Sequence, residues 1–140
     1  MKPLFSLLIA IVSFSSSFAA TEPTVHPTTS LYHYFPVAQG VVWSSVDNYQ
    51  KATFNFNGTT YSAFFDQQGE LVATTHAISI NDLPKGLKLS LQEEMKTYWI
   101  SDLIVMSTKE GESYFVQLEY AGSKIIKQST GNKWITYKNQ

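Results

Sequence analysis

From Lys51 onward the chain alternates between apolar and polar positions. Ala52, Phe54 and Phe56 fall on one side, and Thr53, Asn55 and Asn57 on the other. That is the period of a half-buried strand. Asn57-Gly58 follows at once, a pair suited to a two-residue hairpin turn. A second strand then covers Thr59 to Asp66, a turn falls at Gln67 to Glu70, and a third strand runs from Leu71 to about Ile80. The central part of this pattern occurs twice. Gly58 to Gly69 reads GTTYSAFFDQQG, and fifty-three residues later Gly111 to Gly122 reads GESYFVQLEYAG. Both copies place apolar residues at alternate positions between two glycines: Tyr61, Ala63, Phe65 and Tyr114, Val116, Leu118. The second copy is flanked by strands at Asp102 to Ser107, Lys124 to Gln128 and Trp134 to Tyr137.

Two segments depart from alternation and are expected to be helical. Pro36 to Val46 has proline in its first turn. The second starts at Asn81-Asp82-Leu83-Pro84, a capping side chain followed by proline, and runs to about Trp99. Leu87, Leu91, Met95 and Tyr98 form its apolar stripe. The predicted class is therefore α+β, a tandem helix-plus-three-strand meander. Its two helices would pack on one face of an antiparallel sheet.

The first residues carry a different signal. Lys2 precedes the apolar run Leu4 to Val12, and small residues follow from Ser15 to Ala20, with Ser17 and Ala19 placed for cleavage. This is the pattern of a secretory signal peptide over residues 1–19. The run is too short for a membrane span, which needs about 20 apolar residues. Thr21 to Ser30 is rich in Thr and Pro and reads as the start of a flexible lead-in over residues 20–34, which ends in the aromatic patch Leu31 to Phe35. Residues 35–140 then form one domain built of two repeats, 35–80 and 81–140.

Composition narrows the function. The chain has 10 basic residues, every one Lys, against 11 acids. Without Arg or a basic stripe, a nucleic-acid partner is not expected, nor is an anionic membrane surface. There is no Cys, so a lipoprotein anchor, a disulfide framework and a thiol nucleophile are all excluded. The expected location is periplasmic or extracellular.

From about Phe35 to its end the chain resembles the PepSY-like, or β-lactamase-inhibitor-like, family of small exported bacterial proteins. The residues that carry the likeness are Val42-Trp43, Asn57-Gly58-x-x-Tyr61, Phe65-Asp66-x-x-Gly69, Leu83-Pro84, Tyr98 and Gly111-x-x-Tyr114. The resemblance implies a curved antiparallel sheet with both helices on one side. It also implies export and a non-enzymatic role in binding or inhibiting another molecule.

No residue set announces catalysis. His26, His33 and His76 are scattered, and no convergent metal ligands or cofactor motif accompany them. Glu93 and Glu94 are adjacent on a helix and diverge by about 100°. Asp47, Asp66, Asp82 and Asp102 lie beside turns or element starts, where short acids bond the backbone. Strand parity is more informative. With Phe54, Phe65, Val116 and Leu118 facing the helices, the opposite face is polar, with Phe64, His76, Phe115 and Ile126 set among residues such as Gln117. Aromatic anchors amid hydrogen-bonding groups are typical of protein-recognition surfaces. The expected binding residues are thus Phe64, His76, Phe115, Gln117 and Ile126, with a protein or peptide as partner. The competing account of Phe64, His76, Phe115 and Ile126 is that they are ordinary exposed side chains or are buried by sheet curvature. An alternative function is a carrier or sensor of a small ligand held between the sheet and the aromatic N-terminal segment. Open sheet edges also leave a dimer open to the chain.

Overall fold

A computed structural model describes residues 25–139; the expected signal peptide lies outside them. The chain divides into two compact units between Thr74 and Thr75.

The first unit begins with helix α1 (Thr28–Tyr34), followed by β1 (Gln39–Val46), β2 (Tyr49–Phe56), β3 (Thr59–Phe65) and the start of β4 (Leu71–Ala77). β1, β2 and β3 pair antiparallel in chain order. Phe54 lies opposite Tyr61 and Ala52 opposite Ala63. These side chains share the helix-bearing face, where Leu31, Ala52, Phe54, Ala63 and Phe65 form a core. Phe35 packs against that core with its ring 4.8 Å from that of Phe54. Asn57-Gly58 makes the expected hairpin turn, with φ of 51° and 83° at its two central positions.

The second unit holds a short 3₁₀ turn at Ile80–Asp82 and then helix α2 (Lys85–Glu94). Strands β5 (Trp99–Thr108), β6 (Gly111–Tyr120), β7 (Ser123–Thr130) and β8 (Lys133–Asn139) follow, paired antiparallel in chain order. Ser79 and Asp82 close a reciprocal capping box at the 3₁₀ turn. Leu87 and Leu91 of α2 pack on Leu103, Val116 and Leu118. The Trp134 indole N–H donates to the Leu87 carbonyl at 3.1 Å. Lys127 projects to the same side and forms an ion pair with Glu94.

The architecture corrects the expected fold class. Among the described residues eight antiparallel strands dominate, the two α-helices have only seven and ten residues, and there is no helix-plus-three-strand meander. Residues 36–46, expected as a helix, are mostly β1. Val41 and Trp43 point to the core while Val42 and Ser44 point away, and β-branched residues favour such a pleated surface. The second helix stops at Glu94 rather than Trp99, because Tyr98, Trp99 and Ile100 suit a strand and Trp99 begins β5. Met95 consequently leaves the buried stripe and is 44% exposed. The segment expected as a lead-in to residue 34 contains α1, whose Leu31 is fully buried.

Gly86 shows why a residue unfavourable to helices stands inside α2. A Cβ at this position would lie 2.5 Å from Cγ and 2.8 Å from Cβ of Asn132, in the turn between β7 and β8. The helix gain from Ala is about 1 kcal/mol, while overpacking costs about 1–3 kcal/mol. Gly86→Ala is therefore expected to lower stability by about 1 kcal/mol in denaturant titration. Asn132→Gly in the same chain should restore it, and an additive double mutant would refute the contact.

A second prediction comes from Tyr137. Its ring meets Phe115 edge-on at 5.8 Å, and its hydroxyl is buried without a hydrogen-bond partner. An unsatisfied buried hydroxyl costs about 1–3 kcal/mol. Tyr137→Phe should raise stability by about 1 kcal/mol, whereas a destabilised variant would mean that the hydroxyl is bonded in solution.

Candidate functional site

The face of the second unit opposite α2 carries a connected polar cluster. Antiparallel register sets Trp99 opposite Glu119, and Asp102 opposite Gln117. On the other side of β6, Glu119 faces Lys124 and Gln117 faces Ile126. The ladder shifts between Ile100 and Asp102, a bulge that brings Ser101 within reach of Gln117. The Gln117 Nε2 donates to Ser101 Oγ at 2.9 Å and to Glu119 Oε1 at 3.4 Å. Ser101 Oγ donates to the Gln117 carbonyl at 3.3 Å. Lys124 Nζ stands 3.4 Å from Glu119 Oε1. Beside this network the Trp99 side chain is 55% exposed.

Electrostatics differ along the cluster. Burial pushes the Glu119 carboxyl up, but the hydrogen bond and charge of Lys124, with hydrogen bonds to Ser101 and Trp99, outweigh it and hold the group below its ordinary value. The contribution of Glu119 to stability is thus present above the ordinary Glu range and lost as pH falls through the lowered value. Asp102 moves the other way, because burial raises its carboxyl more than the Leu103 backbone hydrogen bond lowers it.

The five expected site residues separate into two groups. Phe64 is 1% exposed, Phe115 2% and Ile126 1%. These three are buried, and they correct the expectation of aromatic anchors on an open face. Phe115 packs on Tyr137, and Phe64 lies beneath Lys51, whose Nζ is 5.8 Å from the ring centroid. Gln117 is half-buried and stands at the centre of the network above. His76 is half-buried on β4. Sequence reading missed Trp99 because it closed an overlong helix there. The alternation of Trp99 with Ser101 was the available signal. Lys124 was legible only as the first residue of a predicted strand, and its cross-strand acid, Glu119, fixes its role.

A groove of about 690 Å³ lies in the first unit, lined by groups such as His26, Thr28, Asp47, Gln50, Asp66 and Gln68. His26 Nδ1 is 3.0 Å from Gln50 Oε1, and its ring stacks on Trp43 at 4.8 Å. Asp66 Oδ1 accepts from the backbone N–H groups of Gln68 and Glu70, both at 2.9 Å, so its role is to shape the turn. Tyr32, Tyr34 and Trp134 do not line the groove. Among the described residues no three His, Cys, Asp or Glu side chains converge as a metal site. No described helix is long and apolar enough to cross a membrane.

No family model and no curated protein matches the chain. Solved structures do resemble it. A BLIP-like protein from Bacteroides fragilis superposes with a TM-score of 0.68 at 17% identity, over 87% of this chain and 88% of that one. A DUF2874 family protein from Bacteroides uniformis gives 0.73 at 18% identity, over 85% and 89%. A candidate periplasmic protein from Bacteroides eggerthii gives 0.74 at 18%, over 86% and 89%. At such identities the likeness shows the fold. The BLIP-like part of the expected resemblance has a counterpart here, and the PepSY part has none among these three.

Asp102 supplies a pH test. A raised carboxyl destabilises the fold when ionised. That loss sets in as pH rises through the ordinary Asp value of about 3.9 and is complete above the raised value. Asp102→Asn should raise the thermal midpoint at pH 7, with the advantage vanishing below about pH 4. A gain of equal size at both pH values would show that charge burial is not its cause.

Proposed function

We propose that the chain is an exported, non-enzymatic module that binds a protein through the helix-free face of β5, β6 and β7. The observation that carries this reading is the half-exposed Trp99 beside a hydrogen-bonded set of Ser101, Gln117, Glu119 and Lys124. Tryptophan dominates protein interfaces where it can be desolvated within a ring of polar groups. The network holds those groups in fixed positions before a partner arrives, which reduces the ordering cost of binding. Phe115 and Ile126 then act as a rigid floor, while contact is made by Trp99 and the polar row. The BLIP-like fold and the candidate periplasmic relative support an inhibitor-like, exported role.

The small-ligand alternative is less well supported. The groove mixes polar and apolar surface in about equal parts, and none of Tyr32, Tyr34 and Trp134 borders it.

The test uses the chain from Ala20, tagged at its C-terminus, as bait for envelope and medium proteins. Any partner is then made pure and its affinity measured. Trp99→Ala is expected to weaken binding by about thirtyfold, the ratio for a loss near 2 kcal/mol. Gln117→Ala should weaken it less. Unchanged affinity in both variants would remove this face from consideration.

A further inference from the structure

The first unit carries a different charge arrangement on its helix-free face. β1, β2 and β3 contain one charged side chain, Lys51, and no acid. Register places Lys51 between Ser44 on β1 and Phe64 on β3. The neighbouring row holds Val42, Thr53 and Ser62, with the two hydroxyls 3.5 Å apart. Val42 is 66% exposed and Ser44 is also exposed. Lys51 itself is half-buried, and among the described residues no carboxylate lies within ion-pair distance of its nitrogen. Asp47 and Asp66 sit at the nearby turns, with Asp66 engaged by two backbone N–H groups. Burial lowers the Lys51 ammonium from its ordinary value. The face of Phe64 offers partial compensation to the cation.

A half-buried cation with no counter-ion among the described residues is expensive to hold, and the buried Phe64 ring beside it does not require one. The same cation becomes favourable when a carboxylate arrives. We propose that Lys51 is a recognition site for a carboxylate: the helix-free face of β1–β3 takes a segment of a partner protein bearing an Asp or Glu side chain. The carboxylate sits against Lys51 Nζ with the Ser44 hydroxyl as donor, and Val42 packs on the adjoining apolar atoms. This rests on the protein-binding reading, but on residues separate from Trp99.

The experiment follows the Lys51 side-chain Hε–Cε signal by NMR in the full mature chain, assigned with Lys51→Arg. The probe is an acetylated, amidated hexapeptide containing two Glu, against the same peptide with Gln. The Glu peptide should shift the signal and move the Lys51 titration to higher pH, and the Gln peptide should do neither. Lys51→Met should weaken Glu-peptide binding about tenfold. Lys51→Arg should keep it, and raised salt should weaken it. Trp99→Ala should leave the peptide response intact, so that loss of one face is distinguishable from loss of the other. Equal responses to the Glu and Gln peptides, or full binding by Lys51→Met, would overturn the assignment.

Discussion

Each unit depends on burying one short helix against its strands. A helix of seven or ten residues does not persist alone in water, since isolated helices below about 12–15 residues are marginal. A few strands likewise need a covered apolar face. Leu31 in the first unit, and Leu87 with Leu91 in the second, are where these two requirements meet. With no Cys anywhere in the chain, this packing has no covalent support. It also fixes parity along every paired strand. Once Phe54 or Val116 faces a helix, Lys51 or Gln117 must face away.

That parity was readable in the sequence. The residues assigned to the helix face, from Phe54 and Phe65 to Val116 and Leu118, all enter the two cores. The Asn57-Gly58 turn was legible because its chemistry is local. Residues 36–46 were not, since a proline followed by mixed apolar residues satisfies helix and strand templates alike over so short a span. The end of α2 was misplaced for a related reason. A three-and-four spacing continued through Met95 to Tyr98 by coincidence, while the backbone had already turned toward β5.

The site was less legible than the fold, and the reason is physical. Sequence parity tells which side a residue faces, but not how deeply that side is covered. Phe64, Phe115 and Ile126 were placed on the correct side and are nonetheless buried. The Ser101–Gln117 bond depends on a bulge, which shifts register by one residue and leaves no dependable mark in composition.

The two helix-free faces also differ in a way that bears on selectivity. On the second, Lys124 is already matched by Glu119, so the row presents polarity without a demand for charge. On the first, Lys51 has the Phe64 ring beneath it and, among the described residues, no matching acid. A matched network tolerates partners of many kinds, provided that they satisfy its hydrogen bonds. An unmatched, half-buried cation discriminates, because covering it with an apolar or basic surface completes its desolvation without compensation. In the proposed binding, affinity from an aromatic beside Gln117 and discrimination from Lys51 would therefore be separable properties, carried by different strands and open to independent change.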